Sequence, residues 1–440
     1  MSRVVIAVGP GVDGQLCFTL RRAPNPPQDR QPRPFTCVVQ DLPNGRPPPA
    51  PKGWVSRYGQ RLWTELAQNP EVLQALQRVG GPRTVMFELQ DQRTELFNWE
   101  MLCDDSGNFL ALDSRPVGRI ADQGRDQDSA VPQFTGTLRV TAVLSALGVP
   151  AGQEWTGVYA AVRAARERRI RVQLRVFVGE DDLYTTIEEA AKTDRDLSVA
   201  LVPESAVDLR AAIREGEPHI LHFFCHGAAD LGQPRLQIAA PQDFERRAAG
   251  QPVGPGVVLE VGGLDAHRTL LGVWLVVLNC CEGGLAVQDV HSLANSLVAA
   301  GLPAAVGMRE TIQAHAANEF SRVFYRELLT ELIRLLRQPD GGEDVDIDWA
   351  RLLIEPRAAL VEQAQDATTS GVWTLPVLYT RFEPFRIRIP RLIERGGPSA
   401  QDRVTAGVLD GLVRRLPPDT PPEAVAELRR LAAEQLGEPA

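Results

Sequence analysis

The fold class that this sequence predicts is α/β, with a mostly parallel sheet and helices on both faces. Three observations carry that expectation. The run 220–227 reads ILHFFCHG and the run 273–284 reads VWLVVLNCCEGG, each apolar and closed by glycine after a reactive side chain. Runs of this length and composition suit buried central strands of a parallel sheet. From residue 138 onward, strand-like and helix-like patterns also alternate, which is the order of a parallel sheet with crossover helices.

Taken in order, 4–8, 17–20 and 36–39 have strand character and are separated by Pro-rich loops at 24–34 and 43–51. Leu62, Leu66, Val72, Leu73 and Leu76 give 54–79 helical spacing, and 84–89 is apolar and strand-like. The segment 123–131 is polar and unpatterned, the composition of a linker. Strands follow at 138–144, 171–178 and 197–202, with helices at 153–167, 183–192 and 206–214. After the two reactive runs come a helix near 288–300, a strand at 303–308 and a long amphipathic helix at 314–336. The acidic stretch 340–348 lacks EF-hand spacing and reads as a solvated insertion. Two amphipathic patterns, 402–416 and 422–436, close the chain. Neither can bury its apolar face alone, so each must dock back or meet a partner. The expected domains are therefore 1–130, 131–395 and a helical tail at 396–440.

The totals narrow the function classes. The chain has 440 residues, enough for two or three domain-sized units. No apolar stretch has the length of a membrane span, and the first residues lack a signal-peptide core, so a cytoplasmic chain is expected. Six cysteines without regular spacing suit reduced thiols rather than a disulfide framework. A net charge of −9 argues against nucleic acid as a partner. There is no P-loop or dinucleotide-binding glycine run, and no cofactor is expected.

In open α/β sheets, ligands bind beyond the carboxyl ends of the strands. A histidine leaving one strand and a cysteine leaving its neighbour can share that crevice, as a thiolate nucleophile requires. Alternation puts His222 and His226 on one face and Cys225 on the other, which argues against a zinc site built from all three. Of the adjacent Cys280 and Cys281, the one nearer the glycines, Cys281, is the better candidate nucleophile. Cys280 remains an alternative. His226 is the candidate general base and acid, and the amides of Gly227 and Cys281 are candidate oxyanion donors. Each residue also has a plainer reading, because single buried cysteines and histidines more often serve packing. His222 is read as a core histidine. A redox use of the vicinal cysteines is disfavoured by disulfide geometry.

The two runs resemble the signature blocks of the CHAT family, caspase-like cysteine peptidases. Further blocks extend the resemblance. Phe97-Asn98-Trp99-Glu100-Met101-Leu102, followed by 109–112, is similar to the family's upstream "PWE-L" block, with Asn98 in place of proline. Ala305-Val306-Gly307-Met308 resembles the strand after the cysteine helix, and 372–379 the closing "W..PVLY" block. The resemblance covers roughly 1–385 and implies a caspase-like three-layer sandwich preceded by a degenerate α/β half. It also implies His226 and Cys281 as the catalytic pair. Met308, Arg309 and Glu310 are expected to line the P1 pocket, where Arg309 favours an acidic side chain and Glu310 a basic one. Which of the two points inward is left open, and the plainer reading is that both are simply exposed to solvent. The function implied is an endopeptidase cutting a dedicated protein partner, in bacterial defence or cell death, with gasdermin-like pore formers among the possible substrates. An activator or sensor would meet the C-terminal helices, and no membrane partner is expected. The competing reading is a catalytically silent scaffold of the same fold.

Overall fold

The computed structural model describes residues 3–12, 15–24, 33–35, 52–77, 83–121, 131–134, 136–168, 170–230, 233–254, 256–260, 264, 272–280, 290–310, 312–336, 344–389, 408–409, 413, 416 and 420–436. They fall into two units. One is drawn from 1–130, 136–333 and 346–386, the other from 131–135, 334–345 and 387–440.

The first unit is built on a fourteen-stranded, mostly parallel sheet. Its N-terminal strands are β1 (Arg3–Pro10), β2 (Leu16–Arg22), β3 (Arg33–Phe35), β4 (Thr84–Leu89) and β5 (Val117–Ile120), with helices α1 (Trp54–Ala67) and α2 (Pro70–Gln77) between β3 and β4. The helical spacing over 54–79 is thus split in two. Pro70 cannot continue a hydrogen-bonded helix, and Asn69 Oδ1 accepts from the amides of Glu71 (3.0 Å) and Val72 (3.4 Å) to start α2. The strand expected at 36–39 lies outside the described residues. Part of the expected loop at 24–34 instead forms β3, which pairs antiparallel with β2 at the sheet edge, where a proline such as Pro34 is tolerated.

The second set of strands is β6 (Thr137–Leu144), β7 (Arg171–Val178), β8 (Leu197–Leu201), β9 (Ile220–Asp230), β10 (Gln233–Ile238), β11 (Val257–Glu260), β12 (Leu275–Cys280), β13 (Ala304–Met308) and, after β14 (Asp344–Asp346), β15 (Pro376–Thr380). Helices α3 (Gly152–Glu167), α4 (Asp181–Ala191) and α5 (Ala206–Glu215) cross between β6, β7, β8 and β9. Helices α6 (Pro241–Ala248), α7 (Val290–Ala299), α8 (Ala314–Leu336) and α9 (Ile354–Ala364) follow. The spatial order is β3-β2-β1-β4-β5-β15-β13-β12-β9-β6-β7-β8. Strand β5 pairs parallel with β15 (Arg119 with Tyr379, Ile120 with Thr380), so the 1–130 segment and the later strands share one sheet.

The sheet core is as apolar as the sequence suggests. Ile220, Leu221, Phe223 and Phe224 on β9 and Leu275 to Leu278 on β12 are fully buried. Each such side chain contributes about 1.5–3 kcal/mol of burial free energy. From β6 the chain moves outward through β7 and β8, then returns to place β9 on the other side of β6 and β12 beyond it. That reversal is a topological switch point, and in open α/β sheets ligands bind at such a point, beyond the carboxyl ends of the strands, here those of β6 and β9.

In the second unit, Arg388 of β16 (Arg386–Arg388) binds Asp344 of β14 through Nε at 2.8 Å, and its amide donates to the Pro132 carbonyl. The helix α10 (Pro422–Leu436) coincides with the second tail pattern. Most of the first, 402–416, lies outside the described residues. Among the described residues no helix is long and apolar enough to cross a membrane.

Candidate active site

Strand β9 reaches the switch point by parallel pairing on both sides. Among the described residues its last parallel partners are Leu144 of β6, opposite Phe224, and Cys280 of β12, opposite Cys225. One residue later, at His226, the described pairing passes to another strand. Strand β9 does not stop there, as the closing glycine suggested, but runs on as a hairpin with β10, pairing His226 with Gln237 and Gly227 with Leu236. His226 therefore stands where the hairpin begins, one residue past the last described parallel pair.

The loop after β6 receives the imidazole. Ser145 anchors this loop, its amide donating to the Phe224 carbonyl (2.8 Å) and its hydroxyl to the Ala239 carbonyl (2.6 Å). Gly148 takes a left-handed conformation (φ 86°), which costs glycine little and turns the chain there. Leu147 then presents its carbonyl to His226 Nε2 at 2.9 Å. A carbonyl can only accept, so the proton of a neutral His226 sits on Nε2 and Nδ1 is the basic nitrogen. His226 is 6 % exposed, and Nδ1 has no hydrogen-bond partner among the described residues.

Below His226, on the same face of β9, is a buried polar cluster. His222 Nε2 lies 2.9 Å from Glu154 Oε1, and Asn279 Nδ2 donates to that same oxygen at 2.9 Å. Asn279 Nδ2 also lies 2.9 Å from the Ala317 carbonyl and from Ser321 Oγ on α8. Tyr325 sits edge-on to His222 with ring centroids 5.6 Å apart. Burial, and after it the Glu154 carboxyl, pushes the Tyr325 hydroxyl well above its usual value, so it stays a neutral phenol. His222 is thus a buried histidine, as expected, that sits beside a polar cluster, with neither ring nitrogen hydrogen-bonded among the described residues.

The remaining candidates are distributed as follows. Cys281, proposed both as nucleophile and as oxyanion donor, lies outside the described residues, while the backbone of β12 is described up to Cys280, the residue before it. Gly227 is half-buried. Of the expected P1 pocket, Met308 is 1 % exposed and pairs with Pro376 across β13 and β15. Arg309 donates its amide to the Leu375 carbonyl and its Nη2 to the Leu96 carbonyl, both at 2.8 Å, which turns the guanidinium toward the 92–96 turn. Glu310 is half-buried. No group of three or more metal-ligating side chains occurs among the described residues.

Sequence reasoning passed over three contributors, Leu147, Glu154 and Asn279. A backbone carbonyl carries no side-chain signal. Asn279 did leave one, as the lone amide inside an otherwise apolar strand.

A family model for the CHAT domain matches residues 56–338. No curated protein matches the chain. The match spans more than half of the sequence and includes both reactive runs, and with the mostly parallel sheet and its helices it leads to one conclusion: the chain belongs to the CHAT domain family and has a caspase-like α/β fold.

Proposed function

We propose that this protein is a cysteine endopeptidase that uses a Cys281–His226 dyad to cut a dedicated protein partner. The observation that carries the reading is the fixed tautomer of His226. With Nε2–H given to Leu147, the basic Nδ1 is left at the carboxyl edge of the parallel sheet, where β12 leads the chain toward Cys281. In the reaction, Nδ1 takes the thiol proton and the thiolate adds to the scissile carbonyl. The Gly227 and Cys281 amides bear the oxyanion, and the imidazolium returns its proton to the leaving amine. Water, deprotonated by the same nitrogen, then hydrolyses the thioester and frees the thiol. Leu147 stabilises the imidazolium in both halves of the cycle by accepting from Nε2–H.

The family resemblance suggests a partner encoded nearby, a role in defence or cell death, and an activator recruited through the C-terminal helices. The test is incubation of wild type, Cys281→Ala, Cys280→Ala and His226→Ala with a peptide library and with proteins encoded beside it. Cleavage should vanish in Cys281→Ala and His226→Ala and persist in Cys280→Ala. Undiminished cleavage by Cys281→Ala overturns the assignment, and no cleavage by wild type favours the scaffold reading.

A further inference from the structure

The strand order of the large sheet ends at β3 on one side and at β8 on the other, and the two edges differ in character. Strand β3 is three residues long and carries Arg33 and Pro34, a charge and a proline that discourage further pairing. Strand β8 reads Leu197-Ser198-Val199-Ala200-Leu201, with no charge, proline or glycine, and nothing pairs beyond it among the described residues. Its backbone is half used. The Asp196 carbonyl accepts from the Leu174 amide and the Val202 amide donates to the Val178 carbonyl, so the even-numbered residues address β7. Directions alternate along a strand, so the amides and carbonyls of Val199 and Leu201, and the Leu197 carbonyl, point away from the sheet. Five large apolar side chains are exposed among the described residues. Two of them stand here, Leu201 (40 %) on β8 and Val207 (64 %) in the first turn of α5.

This free edge is complementary to itself. Laid antiparallel against a second copy about a two-fold axis through Val199, Val199 faces its own equivalent and exchanges two hydrogen bonds with it. Leu197 then faces Leu201 of the second copy, and each Leu201 amide meets the Leu197 carbonyl across the axis. Leu197, Val199 and Leu201 share one face of the strand, so the apolar rows of the two copies meet. The flanks match in charge as well. Arg195 and Glu204 are both exposed, and this register brings Arg195 of one copy beside Glu204 of the other. Asp194, which then faces Glu204, already has Arg166 as its counter-charge. Any extended peptide has the backbone groups to pair here, but the match of apolar row and flanking charges with themselves favours a second copy of the chain.

We propose that two copies of this protein associate antiparallel through β8, centred on Val199, and join their sheets into one. The pairing makes no use of the dyad. Its test is sedimentation velocity of the full chain from about 1 to 100 μM, with Tm recorded for each variant. Wild type should pass from 48.2 kDa to twice that mass as concentration rises. Val199→Pro removes an outward amide and leaves the bonds to β7 alone, and Leu201→Lys puts a charge in the apolar row. Each should raise the dissociation constant by about tenfold or more. Arg195→Glu should weaken the dimer, and adding Glu204→Arg should restore it. Val199→Cys should give a disulfide-linked dimer on mild oxidation that wild type does not, because facing residues of a hydrogen-bonded pair have Cα atoms about 5.5 Å apart. If Val199→Pro or Leu201→Lys does not fold, the charge reversal with its rescue and the Val199→Cys cross-link decide. A wild type that stays at 48.2 kDa throughout overturns the proposal. So does a dimer that the β8 variants leave intact, or assembly beyond two copies.

Discussion

Breaking the buried ion pair between Glu100 and Arg119 should destabilise the protein more than any single surface change. Arg119 on β5 and Glu100 in the turn before it are both fully buried, with Nη2 to Oε2 at 2.6 Å and Nε to Oε1 at 3.0 Å. The other guanidinium N–H groups reach the carbonyls of Glu95 and Phe97 (both 3.2 Å) and the Tyr379 hydroxyl (3.3 Å), so all five donors are used. Burial alone would push the Glu100 carboxyl up, but the charge and hydrogen bonds of Arg119 outweigh it and hold the group below its ordinary value. Glu100→Ala leaves the guanidinium buried without its counter-charge, at a cost of about 3–5 kcal/mol. Arg119→Met strands the carboxyl and two carbonyls, at a cost of similar size. The double variant removes both charges, so its cost should fall short of the sum by at least about 2 kcal/mol. The assay is urea denaturation of the four proteins at pH 7, followed by tryptophan fluorescence, with Trp99 next to Glu100 in the same turn. Glu100→Ala with the wild-type midpoint, or strictly additive costs, would refute the reasoning. The sign of the pH dependence is fixed as well. A depressed carboxyl contributes fully above its unfolded value, near 4.5, and that contribution is lost as pH falls through the folded value.

Further outcomes are expected elsewhere. Burial, and after it the charge of Arg139, lowers His219 to about 3, and its Nδ1 accepts from the Arg139 amide. The unfolded chain binds that proton near 6.5, so stability should drop by about 2 kcal/mol between pH 6.5 and 5 and keep falling toward pH 3. His219→Gln should flatten that part of the urea-midpoint profile, and an unchanged slope would count against the assignment. Gly59 of α1 packs directly against the Met101 carbonyl, so Gly59→Ala should cost about 2–3 kcal/mol, read as a lower Tm. At Gly148, alanine must adopt a positive φ, at about 1–2 kcal/mol. Gly148→Ala should also lower kcat of any identified cleavage more than it raises KM, because it shifts the carbonyl that orients His226.

Much of the candidate site was legible in the residues. Alternation along 220–227 places His222 and His226 on one face, and the register of β9 with β12 brings the Asn279–Cys280 end level with Phe224 and Cys225. The resemblance blocks also acquire a physical meaning. Glu100 of the upstream block and Tyr379 of the closing block meet through Arg119, at the junction where β5 pairs with β15. The split at Pro70 could have been anticipated from the proline itself, whereas the edge strand at Arg33–Phe35 could not, since its stability comes from pairing with β2.

By itself the sequence determined the apolar strand runs and the alternation of strands with helices, and it named the candidate reactive side chains. These follow from period, propensity and composition, which act over a few residues. The tertiary structure decided which carbonyl accepts from His226, that the Glu154 carboxyl accepts from Asn279, that Arg309 turns to Leu96, and that the N-terminal strands join the same sheet. Each of these joins residues far apart in the chain, and their partners are chosen by closure of the whole sheet rather than by any local pattern.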